Sequence, residues 1–178
     1  RGSDGFGDTL IGNSGANTLW GLGGNDTLTG GLGADTFAYT NKTDSTETNF
    51  DTITDFTTTA DKIEFTGISG VGYNTMPFAF TTDVATTITA IQASVLDNAV
   101  VFFTDGVTGY LYVKGAGTGT DFDGTFIELT GVTTAPALAD LSGIGNLVVG
   151  TTLGDTLTGT AGNDVFLPVT HGAGEWDM

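Results

Sequence analysis

SDGFGDTLI (3–11), GNSGANTLW (12–20), GLGGNDTLT (21–29) and GGLGADTFA (30–38) follow one another without a gap, and aligned they form four copies of one nine-residue unit. The sixth position reads Asp8, Asn17, Asp26 and Asp35, and the seventh is Thr in all four (Thr9, Thr18, Thr27, Thr36). The eighth is large and apolar: Leu10, Leu19, Leu28 and Phe37. Such a fixed period is the signature of stacked repeats rather than of a conventional globular domain.

Each unit has a readable physical logic. Glycines at its start permit the positive φ of a tight turn. The x-apolar-x stretch that follows is a short strand with its central side chain inward and its neighbours outward. One unit buries a single large side chain and cannot stand alone; stacked copies bury a continuous column from Leu10 to Phe37.

Composition narrows the function. The 178 residues include 29 glycines and only 3 prolines, which suits short strands and turns, and 39% hydrophobic residues supply a packed core. Acids outnumber bases 21 to 4, for a formal charge of −17. That charge excludes nucleic acid and disfavours anionic membrane surfaces as partners. It also opposes compaction unless something neutralises it, a role suited to a hard divalent cation with oxygen ligands. With no cysteine, disulfides, thiolate nucleophiles and zinc–sulfur sites are excluded. No apolar run approaches the ~20 residues of a membrane-spanning helix. The chain opens at Arg1-Gly-Ser within a repeat, as expected of a piece of a longer protein.

GGLGADTFA matches the GGxGxDxUx nonapeptide, with U a large apolar residue, and GLGGNDTLT departs from it at one glycine. The segment therefore resembles the RTX (repeats-in-toxin) calcium-binding proteins. The resemblance implies a mainly β fold, a right-handed parallel β-roll in which two nonapeptides make one coil and calcium lies between stacked turns. Carried over, Asp8 faces Asp26 on one side of the roll and Asn17 faces Asp35 on the other. Backbone carbonyls of Gly21, Gly23, Gly24, Gly30, Leu32 and Gly33 complete the ligand sets, as hard calcium prefers. Asn17, which offers a neutral oxygen, makes a weaker site, and Phe6 stands at a glycine position of the first turn.

A second, poorer array lies near the C-terminus. Asn146-Leu-Val, Asp155-Thr-Leu and Asp164-Val-Phe keep the nine-residue spacing, and GTAGNDVFL (159–167) is a fair motif match. One site at most is expected there, from Asn146, Gly159, Gly162 and Asp164. Between the arrays, NFDTITDF (49–56) and DKIEF (61–65) resemble the segment that follows the repeats in serralysin-type proteases and other type I secreted proteins. Asp51 then has two readings, a calcium ligand closing the roll or, like Asp55, a solvated strand-edge residue.

Three segments are expected: the roll with its post-repeat strands (1–66), a small α+β stretch (67–140), and a second short roll with a tail (141–178). In the middle stretch, Val84, Ile88, Ile91 and Val95 share one helical face after a cap at Thr82 or Asp83. Strands are predicted at 99–103, 110–114 and 125–129. TDFDGTFIE (120–128) fails as an EF-hand loop, because Thr130 stands where the bidentate acid is needed, which leaves a solvated hairpin or an irregular calcium site at Asp121, Asp123 and Glu128. His171, Glu175 and Asp177 assemble no nucleophile–base–orienter set, so the chain itself is not expected to be an enzyme.

The reading is a calcium-binding module that folds on reaching calcium outside the cell, after passage through type I secretion machinery. As parent, a secreted S-layer or adhesin-like surface protein is favoured, with self-association or a cell-surface glycan as candidate contacts. The competing parent is an extracellular hydrolase such as a protease or lipase.

Overall fold

The structure is a computed structural model. It describes residues 1–66, 72–74, 78–94, 99–114, 124–149 and 164–167, with the backbone alone for 72–74, 145–149 and 164–167. Six short strands build the roll: β1 (Thr9–Ile11), β2 (Thr18–Leu19), β3 (Thr27–Thr29), β4 (Thr36–Tyr39), β5 (Asp51–Ile53) and β6 (Lys62–Phe65). Odd strands stack in parallel in one sheet and even strands in another, so each coil crosses from sheet to sheet and returns. Thr9 pairs with Thr27 and Thr18 with Thr36, which is the 18-residue coil expected of two nonapeptides.

Two insertions then lengthen the coil without breaking the stack. Thr27 pairs with Thr52 and Thr36 with Lys62, so residues 40–49, with a 3-10 turn at Lys42–Asp44, and residues 54–61 loop out beyond the sheets. Leu19, Leu28, Phe37, Ile53 and Ile63 fill the interior, and all are buried. Leu10 is only partly covered, because β1 is the edge strand of its sheet.

The middle of the chain extends the roll. After β7 (Gly72–Asn74) and helix α1 (Val84–Ser94) come three longer strands, β8 (Ala99–Thr104), β9 (Thr108–Val113) and β10 (Thr125–Thr130). These three form an antiparallel meander, and β10 lies parallel to β5, so the odd-numbered sheet of the roll continues straight into it. Strand β8 is buried along nearly its whole length. Val100 and Phe102 join the roll core, whereas Val101 and Phe103 pack with Ile88 and Ile91 of α1. Both faces are covered, which explains the unbroken apolar run AVVFF. Asp83 caps the helix by accepting the Thr86 N–H at 2.7 Å.

The expected three-segment division meets a different architecture. Strand β11 (Leu141–Ser142) returns to pair with β6, so the boundary at 140/141 falls inside the second sheet of the first roll. The boundary at 66/67 likewise separates strands of one sheet, because hydrogen bonding continues from β5 to β10. The physical reason is the unpaired edge of β5, which β10 covers. The C-terminal array contributes β12 (Gly145–Val149) and β13 (Asp164–Leu167), paired in parallel with Asn146 opposite Asp164 and Val148 opposite Phe166. Strand β12 also pairs with β7. Val95 and residues 120–123 lie outside the described residues.

Within the nonapeptides, turn geometry exposes one strained position. Gly31, the second residue of its repeat, has φ of 98°, and the equivalent Leu22 is forced to 71°. A left-handed leucine costs about 1–2 kcal/mol. Part of that is offset by the chain entropy that a glycine loses on folding. Leu22→Gly should therefore raise stability by up to about 1 kcal/mol, read as a higher melting temperature in saturating calcium.

Candidate calcium centre

The repeat aspartates form two ladders, one along each side of the roll. On the first, the Asp8 N–H donates to Asp26 Oδ1 at 2.7 Å and the Asp26 N–H to Asp51 Oδ1 at 3.0 Å. On the second, the Asn17 N–H donates to Asp35 Oδ1 at 2.8 Å and the Asp35 N–H to Asp61 Oδ1 at 2.9 Å. Each carboxylate thus spends one oxygen on the backbone of the preceding coil. The other oxygens of Asp26, Asp35 and Asp51 are buried and accept no hydrogen bond. A buried carboxylate oxygen without a donor is costly, so these orphans are where a cation fits.

Glycines make room around these oxygens. A methyl group built on Gly30 would stand 2.6 Å from Asp35 Oδ2, and one on Gly21 would overlap the Asp26 carboxylate. At Gly12 it would strike both the Gly30 carbonyl oxygen and Asn17 Oδ1, and at Gly2 both the Gly21 carbonyl oxygen and Asp8 Oδ2. The spaces beside Gly2 and Gly12 are therefore lined by a turn carbonyl of one coil and a side-chain oxygen of its neighbour. Gly24 and Gly33, at φ of 145° and 120°, bring the turns into contact with Phe6 and Gly15 eighteen residues earlier. Among the described residues, no three acidic or histidine side chains converge on one point. The donor set is instead carboxylates and carbonyls of stacked turns, an all-oxygen set suited to calcium.

Other expected positions sort differently. Gly23 directs its carbonyl to the Gly5 N–H, and Leu32 is an exposed residue of its turn. Asn146 and Asp164 are brought side by side in their backbone register. Gly159 and Gly162 lie outside the described residues, as do His171, Glu175 and Asp177.

Of the two readings of Asp51, solvation is excluded: the residue is fully buried. Asp55 is not a free edge residue either, since it accepts the N–H groups of Gly30 at 2.9 Å and Gly31 at 2.8 Å and so fixes the turn of the last nonapeptide. The sequence reading omitted Asp61, although Asp61-Lys-Ile repeats the Asp-x-apolar pattern that marks Asp51. The 26-residue spacing from Asp35 hid it.

The electrostatics follow from the stacking. Burial, then the charge of Asp26 among its neighbours, pushes the Asp51 carboxyl up to about 8. Burial also raises Asp26, with the charge of Asp8 adding to it. Asp8, at the open end, is held low by hydrogen bonds from Ser3. The Tyr39 hydroxyl is buried near Asp51 without reaching hydrogen-bond geometry, and burial raises it well above the usual tyrosine range.

Two sheets of parallel coils with stacked, oxygen-lined turns define a calcium-binding nonapeptide-repeat β-roll. The family described as Peptidase M10 serralysin C terminal matches residues 8–99, more than half of the chain, and this protein belongs to that family. The RTX calcium-binding nonapeptide repeat matches residues 149–167. Repeats of this kind bind calcium, and the two families place the chain among proteins secreted from the cell. Among solved structures, the chain is similar to a subunit of the Azotobacter vinelandii mannuronan C5-epimerase. The two are 23% identical with a TM-score of 0.47, over 79% of this chain and 80% of that one. No curated protein sequence matches the chain.

The raised Asp51 carboxyl sets a pH dependence for the calcium-free protein. An acid whose folded value lies above its unfolded one stabilises the fold below the unfolded value, and that contribution is lost as pH rises through the folded value. The window here runs from about 4 to about 8. In EDTA the melting temperature should climb as pH falls from 8.5 to 5, and millimolar calcium should flatten that slope.

Proposed function

We propose that this chain is a calcium-triggered folding module in the C-terminal part of a type I secreted protein, and that it performs no catalysis itself. The observation that carries the reading is the set of buried, unpartnered carboxylate oxygens on Asp26, Asp35 and Asp51. Without a cation the stacked carboxylates are buried beside turn carbonyls and one another's charge, and the chain is poorly folded where calcium is scarce. Outside the cell the sites fill and the coils close on one another. An unfolded chain suits passage through a secretion channel.

The proposed ligands are Asp8, Asp26 and Asp51 on one side and Asn17, Asp35 and Asp61 on the other. Turn carbonyls of Gly21 and Gly30 complete these sets, with those of Gly23, Gly24, Leu32 and Gly33 as further candidates. In the C-terminal array, Asn146 and Asp164 would share a further site with Gly159 and Gly162.

For the parent protein we favour a surface role, S-layer or adhesin-like, in which the roll is a structural end-piece open to self-association or glycan contact. Membership of the serralysin C-terminal family favours a second reading, the folding and secretion domain of an extracellular protease.

Circular dichroism melts in EDTA, millimolar magnesium and millimolar calcium test the switch. Calcium alone should increase the β signal and the melting temperature; equal melts in all three buffers would reduce the aspartates to turn residues. A site at ten times its dissociation constant stabilises the fold by about 1.4 kcal/mol. Asp26→Asn and Asp35→Asn should each remove about that much of the calcium-induced gain. In EDTA both should melt at or above the parent temperature, because each removes a like charge from its ladder.

A further inference from the structure

On the face of the sheet away from the roll core, a cavity of about 340 Å³ opens between the 46–50 loop, the first turns of α1 and strands β9 and β10. It plays no part in the calcium ladders. Its walls combine the aliphatic Val84 and Ile88 of α1 with three rings: Phe50 stands edge-on to Phe126 at 5.3 Å and 90°, and Tyr110 stacks on Phe126 at 5.6 Å and 16°. Two carboxylates, Glu47 and Glu128, also line it, and among the described residues no Lys or Arg does. From these features we infer that the cavity is a docking site for a lysine side chain of another polypeptide.

The chemistry of the walls favours that occupant. An ammonium group is attracted to aromatic faces and to carboxylates, and a lysine stem is apolar enough to lie along rings. The volume is at the small end for ligand pockets and suits one long side chain. Exposed Thr48 and Ala85 at the rim leave the backbone of a partner in water. Charge complementarity excludes an acidic occupant: the chain carries −17, and the partly buried Glu128 already experiences the charge of Asp105. Burial and that like charge raise the Glu128 carboxyl, a condition that an incoming cation relieves.

The test is an NMR titration of the full chain in millimolar calcium with the peptide Gly-Gly-Lys-Gly-Gly. Its norleucine counterpart and n-butylammonium serve as comparisons. The lysine peptide should shift the ring resonances of Phe50, Tyr110 and Phe126 and bind about tenfold more tightly than the norleucine peptide. Glu128→Gln should cost about tenfold in affinity, while Glu64→Gln, on β6 of the other sheet, should cost nothing. Should Glu128→Gln fail to fold by circular dichroism, Phe50→Leu replaces it, with the same loss expected. Equal affinity for norleucine would make the cavity merely apolar, and an equal loss in Glu64→Gln would reduce the effect to diffuse charge. Tighter binding of n-butylammonium would make this a small-amine site, and no ring shifts at tens of millimolar peptide would remove it altogether. Each of these outcomes overturns the proposal.

Discussion

The structure turns on the fate of a single oxygen atom on each of Asp26, Asp35 and Asp51. A carboxylate that follows a glycine turn accepts an N–H from the coil beside it, which fixes the stacking of successive coils. The same stacking buries its second oxygen beside glycine Cα atoms and turn carbonyls, where nothing in the protein donates to it. The backbone thus satisfies only half of Asp26, Asp35 and Asp51, whereas both oxygens of Asp61 accept backbone N–H groups. The remainder is a charge held among like charges, and Asp51, deepest in its ladder, shows the consequence in its strongly raised carboxyl. On the folding switch proposed above, such a roll is conditional, because the interaction that sets its register also leaves the oxygens that a cation would satisfy.

Around that conditional part the rest of the molecule is ordinary packing. Strands β8–β10 carry apolar side chains on both faces, one against the roll interior and one against α1. Aromatic contacts among Phe103, Tyr110 and Phe126 bind the outer face together. The cluster lies apart from the ladder aspartates. It gives β5, the last odd-numbered strand of the roll, a permanent neighbour in place of an open edge.

The roll was legible in the sequence because every unit repeats its chemistry at fixed spacing: glycine for the turn, aspartate for the ladder, an apolar residue for the core. The same periodicity located the pairing of Asp8 with Asp26, and of Asn146 with Asp164 in the distant array. What period alone could not convey was continuity across the insertions. Residues 40–49 and 54–61 shift the spacing to 25 and 26, so Asp61 fell out of the pattern although it occupies the place of Asp35 one coil on. Nor could the sequence reveal that β10 adds to β5, or that Leu141 returns beside Ile63. Both are long-range pairings that depend on which strand edges remain open, and local propensity carries no record of them.

The insertion that hides the period also joins the two halves. Ser45, fully buried, receives the Asp51 N–H on its hydroxyl at 2.8 Å and donates that hydroxyl to the Phe126 carbonyl, while its own carbonyl accepts the Phe126 N–H at 3.1 Å. Thr125 Oγ1 adds a bond to the Lys42 carbonyl. One side chain therefore ties the deepest acid of the first ladder to the strand that carries the aromatic face. A cation that orders Asp51 acts on β5, and β5 shares both its sheet hydrogen bonds and the Ser45 clasp with β10. The meander and helix are coupled to the state of the ladder through this junction, although they hold none of its carboxylates. Calcium is thus expected to order more of the chain than the repeats alone.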